Sequence, residues 1–237
     1  MNQVVSRPYQ KQSGFTLVEL TLSMAFIALL LLGIAMLTLQ ISSVYNKGLT
    51  LRAVNESGQL IASDIQRTLN MATPTEVLSV GDATGARLCA NNTVYAWNYA
   101  SRLTTGFNRF DTPGREVRMV RFGGDDTYCK PQPPSGQYRA LPSTADTMTE
   151  LLKAGDNTLA IHAFTVTRDG MNVIGNAVNG DDTQRIYSIS FRLGSNDTAI
   201  IASNGCESPT SRVDDDFCAV NDFSFTARAG NKGVSSE

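Results

Sequence analysis

Histidine is almost absent from the chain: His162 is the single one in 237 residues. The sequence also lacks G-x-S-x-G, G-x-x-x-x-G-K-[ST] and H-E-x-x-H, patterns that seat a nucleophilic serine, a nucleotide's phosphates or a catalytic zinc. His162 stands beside Ile161 and Phe164 in an apolar, strand-like stretch, which reads as a core or surface histidine rather than a general base. The chain is therefore expected not to be an enzyme and to carry no cofactor. An excess of charge of one sign is missing as well. Lys+Arg number 20 against 22 Asp+Glu, for a formal net charge of −2, a balance that excludes a general attraction to nucleic acid or another polyanion. No pair of the four cysteines has the C-x-x-C spacing of a zinc or thioredoxin-like site. There is no internal repeat, and no proline between Phe15 and Thr73.

What the chain does have is one long apolar run. Residues 15–39 read FTLVELTLSMAFIALLLLGIAMLTL, with Glu19 as the one charge in 25 residues. As a helix at ~1.5 Å per residue this run covers roughly 37 Å, more than the ~30 Å hydrocarbon core of a bilayer. Residues 1–14 are polar and include Arg7, Lys11 and Pro8. Positive charge just before the run orients the N-terminus to the cytoplasm and the C-terminal part outward, a bias that Lys47 and Arg52 oppose.

Beyond the run the helical period continues into a more polar stretch. Leu51, Val54, Gly58, Ile61, Ile65, Leu69 and Ala72 recur at spacings of three and four, one face of a helix. Arg52, Asn55, Glu56, Gln59, Asp64, Gln66 and Arg67 lie between them and leave the opposite face to solvent. Gly33 and Gly48 are the weak points, each costing ~1 kcal/mol relative to alanine. Pro74 ends the helix at or before Thr73. After it the period drops to two, and strands are expected over 94–99, 117–122, 159–166, 185–193, 199–203 and 223–229, separated by Gly, Asp, Asn and Pro clusters. The expected fold is α+β, a long N-terminal membrane-spanning helix packed on an antiparallel β-sheet. The domain boundaries follow: leader 1–14, anchor 15–40, amphipathic half-helix 41–73 and exported β-rich domain 74–237.

Cys89, Cys129, Cys206 and Cys218 all follow the apolar run, which places them together on the oxidising side of a membrane. Four cysteines allow three connectivities. Local loop closure favours Cys89–Cys129 with Cys206–Cys218, and four buried free thiols are the alternative. Asp214, Asp215, Asp216 and Asp222 are weak calcium candidates, because oxygen-rich loops suit that ion, although no EF-hand spacing is present and solvated carboxylates are the plainer reading. Asp125-Asp126 and Asp181-Asp182 are weaker still. Arg115, Arg118 and Arg121 beside Phe122 and Tyr128 offer a basic-aromatic patch for a nucleic-acid strand. Glu116 interrupts it and strand alternation splits Arg118 from Arg121, so ordinary surface arginines are the expectation.

The junction Lys11-Gln12-Ser13-Gly14-Phe15-Thr16-Leu17-Val18-Glu19 resembles the class III signal of type IV prepilins and type II secretion pseudopilins. The resemblance implies that a dedicated prepilin peptidase cuts after Gly14 on the cytoplasmic side and methylates Phe15. Unlike a secretory signal, the apolar run then stays in the mature protein. A carboxylate costs up to ~2.5–3.5 kcal/mol at the centre of a membrane helix, so Glu19 needs a partner, protonation or the interface. In the family that partner is the N-terminal amine of an adjacent subunit, which here is Phe15 of a neighbour; the plain alternative is a glutamate snorkelling to the headgroups. Residues 57–72, SGQLIASDIQRTLNMA, are similar to the helix end of large minor pilins of the W and J types. The missing anchor proline, and the 223 residues left after a cut at Gly14, imply a minor, tip or priming subunit rather than a major pilin. The cut would leave 18 basic against 22 acidic residues.

The resemblance thus implies a structural subunit of a type IV pilus or related filament. Its partners would be other pilin or pseudopilin subunits, the peptidase, an inner-membrane assembly platform, and membrane lipid before assembly. It implies a single-pass inner-membrane protein with an exported C-terminal domain, later carried in a filament on the cell surface. The alternatives are an adhesion or DNA-uptake module at a pilus tip, which would touch a host surface or DNA, and a tip subunit of a type II secretion pseudopilus.

Overall fold

A computed structural model describes residues 14, 16–103, 105–110, 115–142, 147–152, 159–168, 171–172, 185–196, 201–202, 205–206 and 218–230. By its internal packing the chain divides into two units, Met1–Tyr45 and Asn46–Glu237. The architecture is α+β. One helix, α1, runs over Leu17–Met71, through both Gly33 and Gly48, and stops where the sequence says it must. Thr73, ahead of Pro74, takes the extended backbone (φ −79, ψ 150) that a following proline imposes.

The strands follow in chain order as β1 Leu78–Gly81, β2 Gly85–Ala90, β3 Thr93–Asn98, β4 Met119–Gly123, β5 Pro131–Gln132, β6 Gln137–Tyr138 and β7 Met148–Leu152. Then come β8 Leu159–Arg168, β9 Met171–Asn172, β10 Arg185–Ser195, β11 Ile201–Ala202, β12 Gly205–Cys206 and β13 Val220–Ala229. Among the described residues they form two principal antiparallel sheets, ordered β1-β2-β3-β4-β7 and β13-β10-β8-β9. A parallel bridge from Tyr99 to Ile161 joins them. β5-β6 and β11-β12 are small hairpins.

The first sheet is covered on both faces. Ala86, Leu88, Ala90, Tyr95 and Trp97 turn to the side occupied by Val54, Ile61, Ile65 and Leu69 of α1. Cys89, Val94, Ala96, Val120 and Phe122 turn to the other side, where Phe110, Val117, Tyr128, Cys129 and Leu141 from the loops close a second apolar cluster. The second sheet carries an aromatic row. Phe164, Phe191 and Phe223 are register partners across β8, β10 and β13, with Phe164–Phe191 at 5.5 Å and Phe191–Phe223 at 5.1 Å between ring centroids. Trp97 extends the row at 4.2 Å from Phe164, and Phe223 lies against Gly58 of α1. Offset aromatic pairs of this kind favour the registered rung beyond their buried area.

The expected helix face is shifted slightly in the structure. Leu51 is exposed and Thr50 is buried in its place, which Thr50 tolerates because its hydroxyl bonds back to the Asn46 carbonyl at 3.1 Å. Nor is the opposite flank left wholly to solvent. Gln66 Nε2 donates to the Thr226 carbonyl at 2.8 Å, Asn70 Oδ1 accepts from the Arg228 N–H at 3.0 Å, and Asn221 Nδ2 donates to Asn55 Oδ1 at 2.7 Å. Gln66 and Asn70 of α1 thereby satisfy outward backbone groups of the edge strand β13, which blunts it as a template for strand pairing.

Candidate membrane anchor and assembly site

Every residue from 17 to 42 of α1 is exposed, and the helix is long and apolar enough to cross a membrane. Three of its hydroxyls are satisfied within the helix. The hydroxyls of Thr21, Ser23 and Thr38 donate to the carbonyls of Val18 (3.0 Å), Leu20 (2.8 Å) and Ile34 (2.5 Å). Internal satisfaction is what a segment surrounded by lipid requires, since no water is there to replace a missing partner.

Glu19 lies in the first turn of this helix. Its Oε2 accepts from the Thr16 backbone N–H and the Thr16 hydroxyl, both at 2.9 Å, while the Glu19 N–H donates to Thr16 Oγ1 at 3.3 Å. This reciprocal pair is a capping box, which occupies donors that the first helical turn leaves open. The position of the charge also suits the positive end of the helix. The signal is legible as Thr16-Leu17-Val18-Glu19, the [ST]-x-x-E pattern ahead of an apolar run. Thr16 is thus a site residue that the prepilin-like reading did not single out. Gly14 is exposed; Phe15 and the leader lie outside the described residues.

No family model matches the chain, and neither does any curated protein or solved structure.

The remaining candidates are scattered through the second unit. Cys89 and Cys129 are joined, with their Cα atoms 6.1 Å apart. Cys218 is also disulfide-bonded, which overturns the free-thiol alternative; the side chain of Cys206, its expected partner, lies outside what the structure describes, as do Asp214, Asp215, Asp216 and the 181–182 pair. Asp222, the described member of the calcium set, takes Arg192 in a forked pair, with Nε–Oδ1 at 2.8 Å and Nη2–Oδ2 at 2.9 Å. Those hydrogen bonds hold its carboxyl below the ordinary aspartate value. Asp125 caps the short turn Asp126–Cys129 by accepting from the Thr127 N–H, and Asp126 pairs with Lys130.

The three arginines do not form a patch. Arg118 is buried, not a surface residue as expected, because Nη1 donates to the Leu159 carbonyl at 2.9 Å and Nη2 meets Glu116 at 2.7 Å. Arg121 turns to Asp64 at 3.4 Å. Arg115 lies over the Phe110 ring at 4.1 Å and bonds Glu150 at 3.1 Å. His162 is half-buried, with Nε2 2.9 Å from the Ser195 carbonyl. It is the extra residue of a β-bulge, since Arg192 and Leu193 pair with Ala163 and Ile161 on either side of it.

Proposed function

We propose that this chain is a pilin-like subunit, cut after Gly14, held in a membrane by the apolar half of α1, and built through that half into a filament with other subunits of the same kind. The observation that carries the reading is one junction. The sequence Gly14-Phe15-Thr16-Leu17-Val18-Glu19 leads into a helix that begins at Leu17 and whose residues 20–42 are all exposed, uncharged and predominantly apolar.

On this reading the surface of residues 17–42 is covered first by lipid and later by neighbouring helices. The single carboxylate then has two roles. Through Oε2 and Thr16 it closes the first turn of its own helix, and it also receives the methylated amine of a neighbour's Phe15, so that a buried cation and a buried anion neutralise each other. The prepilin peptidase and an inner-membrane platform are the partners this route requires, and the role is structural rather than catalytic. The domain is exported, which agrees with the disulfides it carries. A place as a minor subunit fits the proline-free anchor.

Processing is the test. Intact-mass analysis of membrane-extracted protein is expected to find a chain beginning at methylated Phe15, and Gly14→Val is expected to leave the whole precursor. A mature chain beginning near residue 40 would instead identify a cleaved secretory signal and end the filament reading.

A further inference from the structure

Arg87 is 3% exposed, and its hydrogen bonds go to neutral oxygens. Nε donates to Asn108 Oδ1 at 2.8 Å, and Nη1 donates to the carbonyls of Tyr128 at 3.0 Å and Arg139 at 2.7 Å. Its guanidinium lies 5.1 Å from the Phe107 ring centroid and 5.9 Å from that of Tyr138. Burial pushes its pKa down to about 10, so the group stays charged at neutral pH at a cost in desolvation that an apolar residue would avoid. What an apolar residue lacks is the fork.

The two carbonyls held by Nη1 flank one excursion of the chain. Tyr128 immediately precedes Cys129, and Arg139 immediately follows Tyr138 of the β5-β6 hairpin. Arg87 and Cys89 are two residues apart on β2 and share its face. One nitrogen therefore fastens both ends of residues 129–138 beside the cysteine that Cys129 joins. None of these bonds involves a sulfur atom. Asn108, its third acceptor, is fixed by its own bonds from Nδ2 to the Ala86 and Trp97 carbonyls (3.0 and 2.7 Å) and from its N–H to Asn98 Oδ1 (2.9 Å).

We propose that Arg87 is a positioning residue for oxidation: by holding the Tyr128 and Arg139 carbonyls in the dithiol chain it presents Cys129 to Cys89 and selects that pair from the three connectivities open to four cysteines. The oxidant is a small-molecule or protein disulfide; glutathione disulfide serves as the probe. One cysteine thiolate attacks a glutathione sulfur and expels a glutathione thiolate, and the second cysteine thiolate attacks the protein sulfur of the mixed disulfide and expels the other. Two electrons and two protons pass from the cysteines to give two glutathione thiols.

The experiment uses the full chain in detergent, reduced and then equilibrated in glutathione buffers, with peptide mapping of every pair. The wild-type chain is expected to form Cys89–Cys129. Arg87→Met is expected to lower the equilibrium constant of that pair about ten- to hundred-fold, the loss of a charge-assisted clamp. Each tenfold makes the couple about 30 mV easier to reduce. Cys89 and Cys129 then also appear joined to Cys206 and Cys218, and Arg87→Lys restores part of the selectivity. An unchanged constant and pairing in Arg87→Met overturns the proposal. A second measurement covers a variant that folds poorly. In a Cys89→Ser/Cys129→Ser chain with Arg87 intact, the Gly136 amide, bonded to the Gln132 carbonyl at 2.9 Å, is expected to stay protected from hydrogen exchange. Loss of that protection shows that the hairpin between the clamped ends does not stand on the Arg87 clamp without the disulfide, and equally overturns the proposal.

Discussion

The Tyr95 hydroxyl on β3 donates to the Asp64 carboxylate on α1 at 2.8 Å, and the other Asp64 oxygen faces Arg121 of β4 at 3.4 Å. Thr68, one helical turn on from Asp64, completes the group at 2.7 Å from Tyr95 Oη. Burial raises the Tyr95 pKa, which keeps the phenol neutral and able to donate. The second half of α1 is therefore held to the first sheet by a polar latch as well as by apolar packing, with its direction along β13 set by Gln66 and Asn70.

Tyr95→Phe keeps the ring and removes the latch. It leaves Asp64 and Thr68 short of a partner beside the core and is expected to lower stability by about 1–3 kcal/mol. Urea unfolding of the wild-type and variant chains in the same detergent measures the difference; an unchanged midpoint would mean that the latch contributes nothing.

Gly58 is required by Phe223. A Cβ at position 58 would stand 2.1 Å from Cζ of that ring, so the helix or the aromatic row must move. Gly58→Ala is expected to cost about 1–3 kcal/mol, the usual range for overpacking. Phe223→Leu in the same chain should recover part of the loss, and additive effects of the two changes would contradict the contact.

His162 sets a pH dependence. Burial, the largest effect, lowers its pKa below the ordinary 6.5, joined by the nearby Arg192, while the bond to the Ser195 carbonyl opposes the shift. A folded-state pKa below the unfolded one means that the unfolded chain binds more protons in this range. The contribution is fully present above about pH 6.5 and is lost as the pH falls through the folded value. Thermal melts between pH 7.5 and 5 should show that decline in the wild-type chain and a flatter one in His162→Gln; equal slopes would remove His162 as its source.

Much of this architecture was readable from side-chain period alone. Tyr187, Ile189, Phe191 and Leu193 alternate with exposed or partly exposed neighbours, so β10 announced itself, as did β13. The strand β2 did not, because all six of its residues are buried and a strand covered on both faces has no alternation to show. Arg87 in its middle even argued against it, since the oxygens that receive a buried guanidinium come from positions 108, 128 and 139. The buried Arg118 was hidden for the same reason, its acceptor being the carbonyl of Leu159, 41 residues away. Leu51 was misplaced because the phase of the helix is decided by what the sheet offers, a tyrosine hydroxyl at Thr68 and an aromatic ring at Gly58. The apolar half of α1 needed no tertiary information: composition marks it as long and apolar enough to cross a membrane, and Thr16 with Glu19 marks its first turn.

Following wild-type and Glu19→Ala chains through membrane insertion, processing and recovery in sheared filaments tests whether subunits assemble through the start of α1. Wild-type protein is expected in the filament fraction. The variant should be inserted and cut normally yet reduced there by two to three orders of magnitude, as the loss of one partner of a buried ion pair, about 3–5 kcal/mol, requires. Absence of the wild-type chain from every filament fraction, or incorporation of Glu19→Ala at the wild-type level, would contradict assembly by this route.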